Sequence, residues 1–108
     1  MQSRKCLAIP VLALSLALPE FAKADLSERQ TRLLAANCMQ CHARVNVGVP
    51  LIGNPDDWEK RNAQGEETML RNAIQGMRGM PPLGYCAACT EEDLRALVRW
   101  LSGLDGGS

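Results

Sequence analysis

Cys38-Met39-Gln40-Cys41-His42 is the stretch on which the reading of this 108-residue chain turns. The cysteines are three apart, so on a helix their thiols share one face, and the imidazole follows at once. Such a pair serves as a structural disulfide, a thioredoxin-like redox couple, half of a zinc site, or the C-x-x-C-H attachment point of a c-type haem. In the last case the two thiols add across two vinyl groups on one porphyrin edge, and the imidazole reaches the iron as proximal ligand. The residues on either side select among the four.

Upstream, Arg4 and Lys5 precede an uncharged run from Cys6 to Pro19, then Ala22-Lys23-Ala24 and Asp25. A positive start, a short apolar run and an A-x-A site predict a cleaved secretory signal over residues 1–24. The run is too short for a bilayer, which takes about 20 residues, so no stable membrane insertion is expected after cleavage. Residues 25–108 then form one domain of 84 residues. Losing Arg4, Lys5, Lys23 and Glu20 from twelve basic and twelve acidic residues leaves nine and eleven, a net of −2. That argues against nucleic acid and against an anionic membrane surface as partner. Four cysteines and three aromatics (Trp58, Tyr85, Trp100) remain. A chain this short struggles to fill a core, so something apolar besides its side chains is expected in the middle. Export, the lack of a βαβ pattern and the shortage of aromatics together select haem.

Downstream the pattern is all-α. Ser27 with Gln30 makes a capping box, with Leu26 as staple, opening a helix that runs from Glu28 to Cys38. Residues 43–57 are mostly loop, with valines but no partner strand. A short helix is expected from Pro55-Asp56-Asp57, Asp acting as cap, ending before Gly65. Another spans Glu66 to Gln75 and stops at Gly76. Thr90 with Asp93 opens the last, whose Leu94, Leu97, Val98 and Leu101 fall at i, i+3, i+4 and i+7 before Gly103.

His42 is the only histidine, so a second imidazole ligand within the chain is excluded. Met39 lies inside the attachment motif and cannot reach the opposite face; Met69 reads as core filler. Met77 and Met80 lie in Gly76-Met77-Arg78-Gly79-Met80-Pro81-Pro82-Leu83-Gly84, read as an extended strap whose glycines let the backbone approach a flat cofactor. Pro81 holds Met80 extended and so favours it over Met77. Cys86-Ala87-Ala88-Cys89 lacks a following histidine. A local disulfide, favoured by export, a reactive dithiol and a four-cysteine zinc site compete for it.

From Leu33 to Leu101 the chain resembles the cytochrome c5-type subgroup of class I c-type cytochromes. The resemblance rests on the attachment motif, on Gly48-Val49-Pro50 shortly after His42, and on Trp58-x-x-Arg61. It extends through Gly79-Met80-Pro81-Pro82 and the Cys86/Cys89 pair to a last helix bearing Trp100. It implies three to four helices packed around one haem c held covalently by Cys38 and Cys41, with His42 and Met80 as axial iron ligands. It further implies a Cys86–Cys89 disulfide, a Pro50 carbonyl that accepts the Nδ1–H of His42, and Trp58 and Arg61 near the haem propionates. The implied function is a soluble periplasmic one-electron carrier, not an enzyme, with transient redox partner proteins. Its alternatives are a haem module of a larger redox complex and a five-coordinate haem enzyme or sensor. One departure stands out. The family carries a small residue, often Gly, about two turns before the first cysteine, where the terminal helices cross; here Glu28-Arg29-Gln30-Thr31 stands there, and Leu34 against Trp100 is expected to supply the contact.

Overall fold

The computed structural model describes residues 25–104; residues 1–24, where a secretory signal is expected, and the tail 105–108 lie outside the described residues. The chain enters helix α1 (Glu28–Leu33) through the Ser27 capping box: Ser27 Oγ accepts from Gln30 N at 3.0 Å, and Gln30 Oε1 accepts from Ser27 N at 3.1 Å. These bonds satisfy two of the donors every helix start leaves open.

The helix leads into the cysteine pair as expected and carries it on its last turn. It passes through a π turn (Leu34–Cys38) into α2 (Met39–His42), so the whole attachment motif is helical. A π turn slips one extra residue into the helix and re-aims every side chain beyond it. Leu34 thereby keeps the core, while Cys38 is half-buried and Cys41 exposed.

Helix α3 (Pro55–Asn62) is capped by Asn54, whose Oδ1 accepts from Asp56 N, rather than by an Asp. Pro55 takes the first helical position and forces its predecessor extended, which puts the cap at 54. That frees Asp57 for another task. Helix α4 (Glu66–Gln75) runs between Gly65 and Gly76, and α5 (Glu91–Ser102) starts on a Thr90–Asp93 capping box and ends on left-handed Gly103.

The core gathers Leu34, Trp58, Leu97 and Leu101, with Leu26, Leu33, Ile52, Cys89 and Trp100 packed against it. Met69, Leu70 and Ala73 of α4 and Leu94 of α5 are buried as well. Both Leu34 and Trp100 therefore belong to the cluster where the terminal helices meet. The crossing itself is polar. Arg29 pairs with the buried Asp93 and donates to Ala88 O at 2.8 Å, while Gln30 Nε2 reaches Asp93 Oδ1 at 3.3 Å. Arg29, with help from the Thr90 N–H, holds the Asp93 carboxyl well below the usual carboxylate range. Long polar side chains thus make the contact where the family has a small residue. On the other side of α5, Arg95 pairs with Glu66 and Glu67, and Arg99 with Glu66 at 2.9 Å, which ties α5 to α4 and lowers both carboxyl pKa values.

Candidate haem site

His42 ends α2 with its ring held on one side. Its Nδ1 lies 2.7 Å from Pro50 O. A carbonyl can only accept, so Nδ1 carries the proton and the lone pair stands on Nε2, the tautomer that binds a metal. The chain that supplies this carbonyl is gripped from three directions. Leu51 N donates to Asp57 Oδ2 at 3.0 Å, Leu51 O accepts from Trp58 Nε1 at 2.8 Å, and Ile52 N donates to His42 O at 2.9 Å. Two neighbouring residues of α3 thus hold the N–H and the C=O of one residue beside Pro50. Trp58 also lays its ring against His42, with centroids 5.7 Å apart and the planes tilted by 31°.

Trp58 is 8 % exposed and its one N–H is committed to Leu51, so it reads as a brace under the histidine; only its ring is left to meet a cofactor. Arg61 is exposed, and its Nη1 donates to Asp57 O one turn back. Sequence reasoning missed the Asp57 and Leu51 grip. Its one signal was an acid just inside a helix opened by Asn-Pro.

Cys38 and Cys41 are unbonded thiols, with burial pushing that of Cys38 up. Cys86 and Cys89 are bonded to one another, with Cα atoms 5.4 Å apart. No group of three or more His, Cys, Asp or Glu poised to hold a metal ion occurs among the described residues. A four-cysteine zinc site is therefore excluded by the pairing itself.

The strap differs most from its expectation. It is not extended through Met77. Met77 N donates to Met80 O at 3.1 Å and Met80 N donates back to Met77 O at 2.9 Å, so the two methionines face each other across a tight turn. Arg78 at φ +52° turns the chain, Pro81 is extended (φ −71°, ψ 158°), and Pro82–Tyr85 then closes into a short 3₁₀ turn. Residues so paired stand about 5.5 Å apart, against the roughly 10 Å that separates them in an extended chain. Burial separates them instead: Met77 is 43 % exposed, whereas Met80 is half-buried. Leu83, Gly84 and Tyr85 follow in left-handed conformation and lead into the buried Cys86. This segment packs against the π turn that carries Cys38, so attachment motif and methionine strap are neighbours.

These residues fit a haem. They offer two unpaired thiols three apart on a helix and an imidazole with its metal-binding nitrogen free. They also leave an excess of uncovered apolar surface, with Val45 at 67 %, Val47 at 50 % and Tyr85 at 81 % exposure.

Residues 24–101 match the family model described as cytochrome c oxidase, cbb3-type, subunit III. The chain is 36 % identical over 74 residues to cytochrome c5 of Ectopseudomonas mendocina, an alignment covering 67 % of this chain and 85 % of the relative. Against cytochrome c5 of Azotobacter vinelandii it is 32 % identical, over 67 % and 89 % of the two chains. In structure it is similar to a chain in the crystal structure of an electron transfer complex of nitrite reductase with cytochrome c. The TM-score is 0.65 at 30 % identity, covering 75 % of this chain and 99 % of that one.

Proposed function

This chain belongs to the class I c-type cytochromes, in their c5-like subgroup, and we propose that it works in the periplasm with His42 and Met80 as axial iron ligands. Membership implies covalent haem c and makes the chain a haem c electron carrier, not an enzyme. The haem supplies the one-electron couple when bound. The chain's own residues hold and tune it. Cys38 and Cys41 are the attachment points, and His42 is kept in one tautomer and orientation by Pro50. Asp57 and Trp58 keep Pro50 in place, and the Cys86–Cys89 disulfide braces the far end of the strap. With the Met80 thioether and the His42 imidazole holding it, the iron would be favoured in its reduced form and its potential raised. The observation that carries this reading is the His42 Nδ1···Pro50 O contact at 2.7 Å beside two unbonded thiols.

Docking of transient redox partners is supported by charge placement. Residues 29–55 and 68–90 contain no acidic residue. Within them the loops around His42 and Met80 present Val45, Val47, Met77 and Tyr85 with Arg44 and Arg78. An apolar centre with a sparse basic rim suits a brief encounter, which small, weakly charged interfaces give. No helix among the described residues is long and apolar enough to cross a membrane.

Replacing the candidate ligands tests the assignment. Met80→Ala should abolish the sulfur-to-iron charge-transfer band of the oxidised protein, lower the potential and open the iron to cyanide, while Met77→Ala should leave all three nearly unchanged. Reversed behaviour would move the ligand to Met77, and no effect from either would favour a five-coordinate enzyme or sensor. The description of the matching family as an oxidase subunit favours a second reading, a haem module of a larger complex. Fractionation separates them: the carrier is recovered alone in the periplasmic fraction, the module with membranes.

A further inference from the structure

The end of α4 meets the strap with no space between them. Gly76 leaves the helix at φ +79°, and a Cβ placed on it would lie 2.8 Å from Met80 O, 2.8 Å from Pro82 N and 3.1 Å from Pro81 C. All three are backbone atoms. They belong to a turn closed by two hydrogen bonds and continued by two prolines, so they cannot swing aside as the end of a flexible side chain would. Helix α4 cannot yield either, because Met69, Leu70 and Ala73 anchor it in the core. Further along, Gly84 N donates to Pro81 O at 3.0 Å, and a Cβ on Gly84 would touch Met80 Cε at 3.5 Å, an ordinary contact. The backbone of Met80 thus rests on Gly76 while its terminal methyl lies over Gly84. Gly48, Gly53, Gly65 and Gly103 also have positive φ, yet a Cβ on any of them would meet nothing within 4 Å. The close approach seen at Gly76 is to the strap itself, where the sequence suggested that glycines made room for the cofactor.

We propose that Gly76 is the positioning residue for the distal sulfur: the missing side chain at the end of α4 sets how closely the strap seats, and so how far Met80 reaches toward the iron. The inference rests on Met80 being the distal ligand. A methyl group at 76 must lift the Met80–Pro82 backbone, and the backbone at φ +79°, ψ 154°, a region essentially confined to glycine, adds its own strain. The population with the sulfur off the iron then rises, and apparent affinity for an outside ligand rises with it.

The test uses exported holoprotein carrying Gly76→Ala, Gly76→Asn, Gly65→Ala or Met80→Ala. Asn places the same clashing Cβ at 76 with a larger polar group beyond it, so it repeats the steric test with a different side chain. Gly65→Ala imposes the same backbone strain (φ +90°, ψ 159°) at the other end of α4 with nothing within 4 Å. Both Gly76 variants should retain covalent haem, lose most of the charge-transfer band, fall in potential, and bind cyanide at least about tenfold more tightly. Gly65→Ala should match the wild type in all four. If Met80→Ala changes neither band nor cyanide binding, the ligand reading fails and this inference falls with it. If Met80→Ala abolishes the band while folded Gly76 variants keep wild-type band, potential and cyanide affinity, only the role of Gly76 is overturned. Failure of both Gly76 variants to accumulate, when Gly65→Ala does, would make Gly76 a folding requirement and equally refute positioning.

Discussion

Trp58→Phe loosens the grip of α3 on the segment that orients His42, and its effect can be worked from the contacts. The indole N–H donates to Leu51 O at 2.8 Å, and phenylalanine has no donor to replace it. Leu51 is half-buried, so leaving its carbonyl unpaired costs about 1–2 kcal/mol. Trp58 is 8 % exposed, and removing the pyrrole portion of its ring forfeits a few tens of Å² of buried apolar surface, about 1 kcal/mol. The sum is about 2–3 kcal/mol, a large share of the roughly 5–15 kcal/mol that holds a domain folded. Urea unfolding of the holoprotein, followed by the Soret band and by far-ultraviolet dichroism, should show the midpoint falling by about 1–2 M with an unchanged slope. Asp57 Oδ2 holds the N–H of the same Leu51, so Asp57→Ala should combine with Trp58→Phe non-additively. The haem methyl shifts in proton spectra should move as well, since the His42 ring gains freedom about its axis. A loss under about 0.5 kcal/mol with unmoved methyl shifts would refute the grip, because a satisfied carbonyl and a packed ring cannot both be removed for so little.

Two further outcomes are expected. The Asp93 carboxyl is held below its ordinary range, chiefly by Arg29, so its stabilising contribution is present above the unfolded-state pKa of about 4 and lost as the pH falls toward the folded value. Asp93→Asn should therefore be less stable at pH 7, with the gap to wild type closing on acidification. Glu66 and Glu67, lowered by their Arg95 and Arg99 partners, leave the wild type some acid sensitivity of its own; urea midpoints between neutral and acid pH check this, and a gap that does not shrink contradicts it. Reduction of Cys86–Cys89, which closes a loop of sequence separation 3, should cost near the low end of the roughly 0–5 kcal/mol range. Hydrogen exchange should quicken over residues 83–90 with haem retained, whereas two alkylatable thiols in exported, unreduced protein would remove the disulfide from the account.

What could be read in advance was what neighbouring residues decide among themselves. Ser27 with Gln30 and Thr90 with Asp93 are local caps, and the four apolar positions of α5 mark its buried face without outside help. Gly65 and Gly76 bound α4 for the same reason. The misses share a different character. Whether Met39 N reaches back to Leu34 O and so makes a π turn leaves no mark in composition. The prolines after Met80 announced extension, but Arg78 adopts φ +52°, which its residue type does not signal, and so the strap folds back on itself. The clasp of Arg29 on Asp93 joins residues 64 apart in the chain, and Trp58 was legible as core but not as the partner of Leu51 O. At the site, the residue types were visible one by one. What oriented them was set by the packing of α3 and α4.

The central claim, that Cys38 and Cys41 carry the haem covalently beside a Pro50-oriented His42, is tested most directly by intact mass. The protein is expressed with residues 1–24 retained in an exporting host able to attach haem, then extracted with acid and acetone to strip any haem that is merely bound. The predicted result is the mass of the Asp25–Ser108 chain plus one haem, with neither Cys38 nor Cys41 open to alkylation. A bare chain with both thiols alkylatable would contradict it.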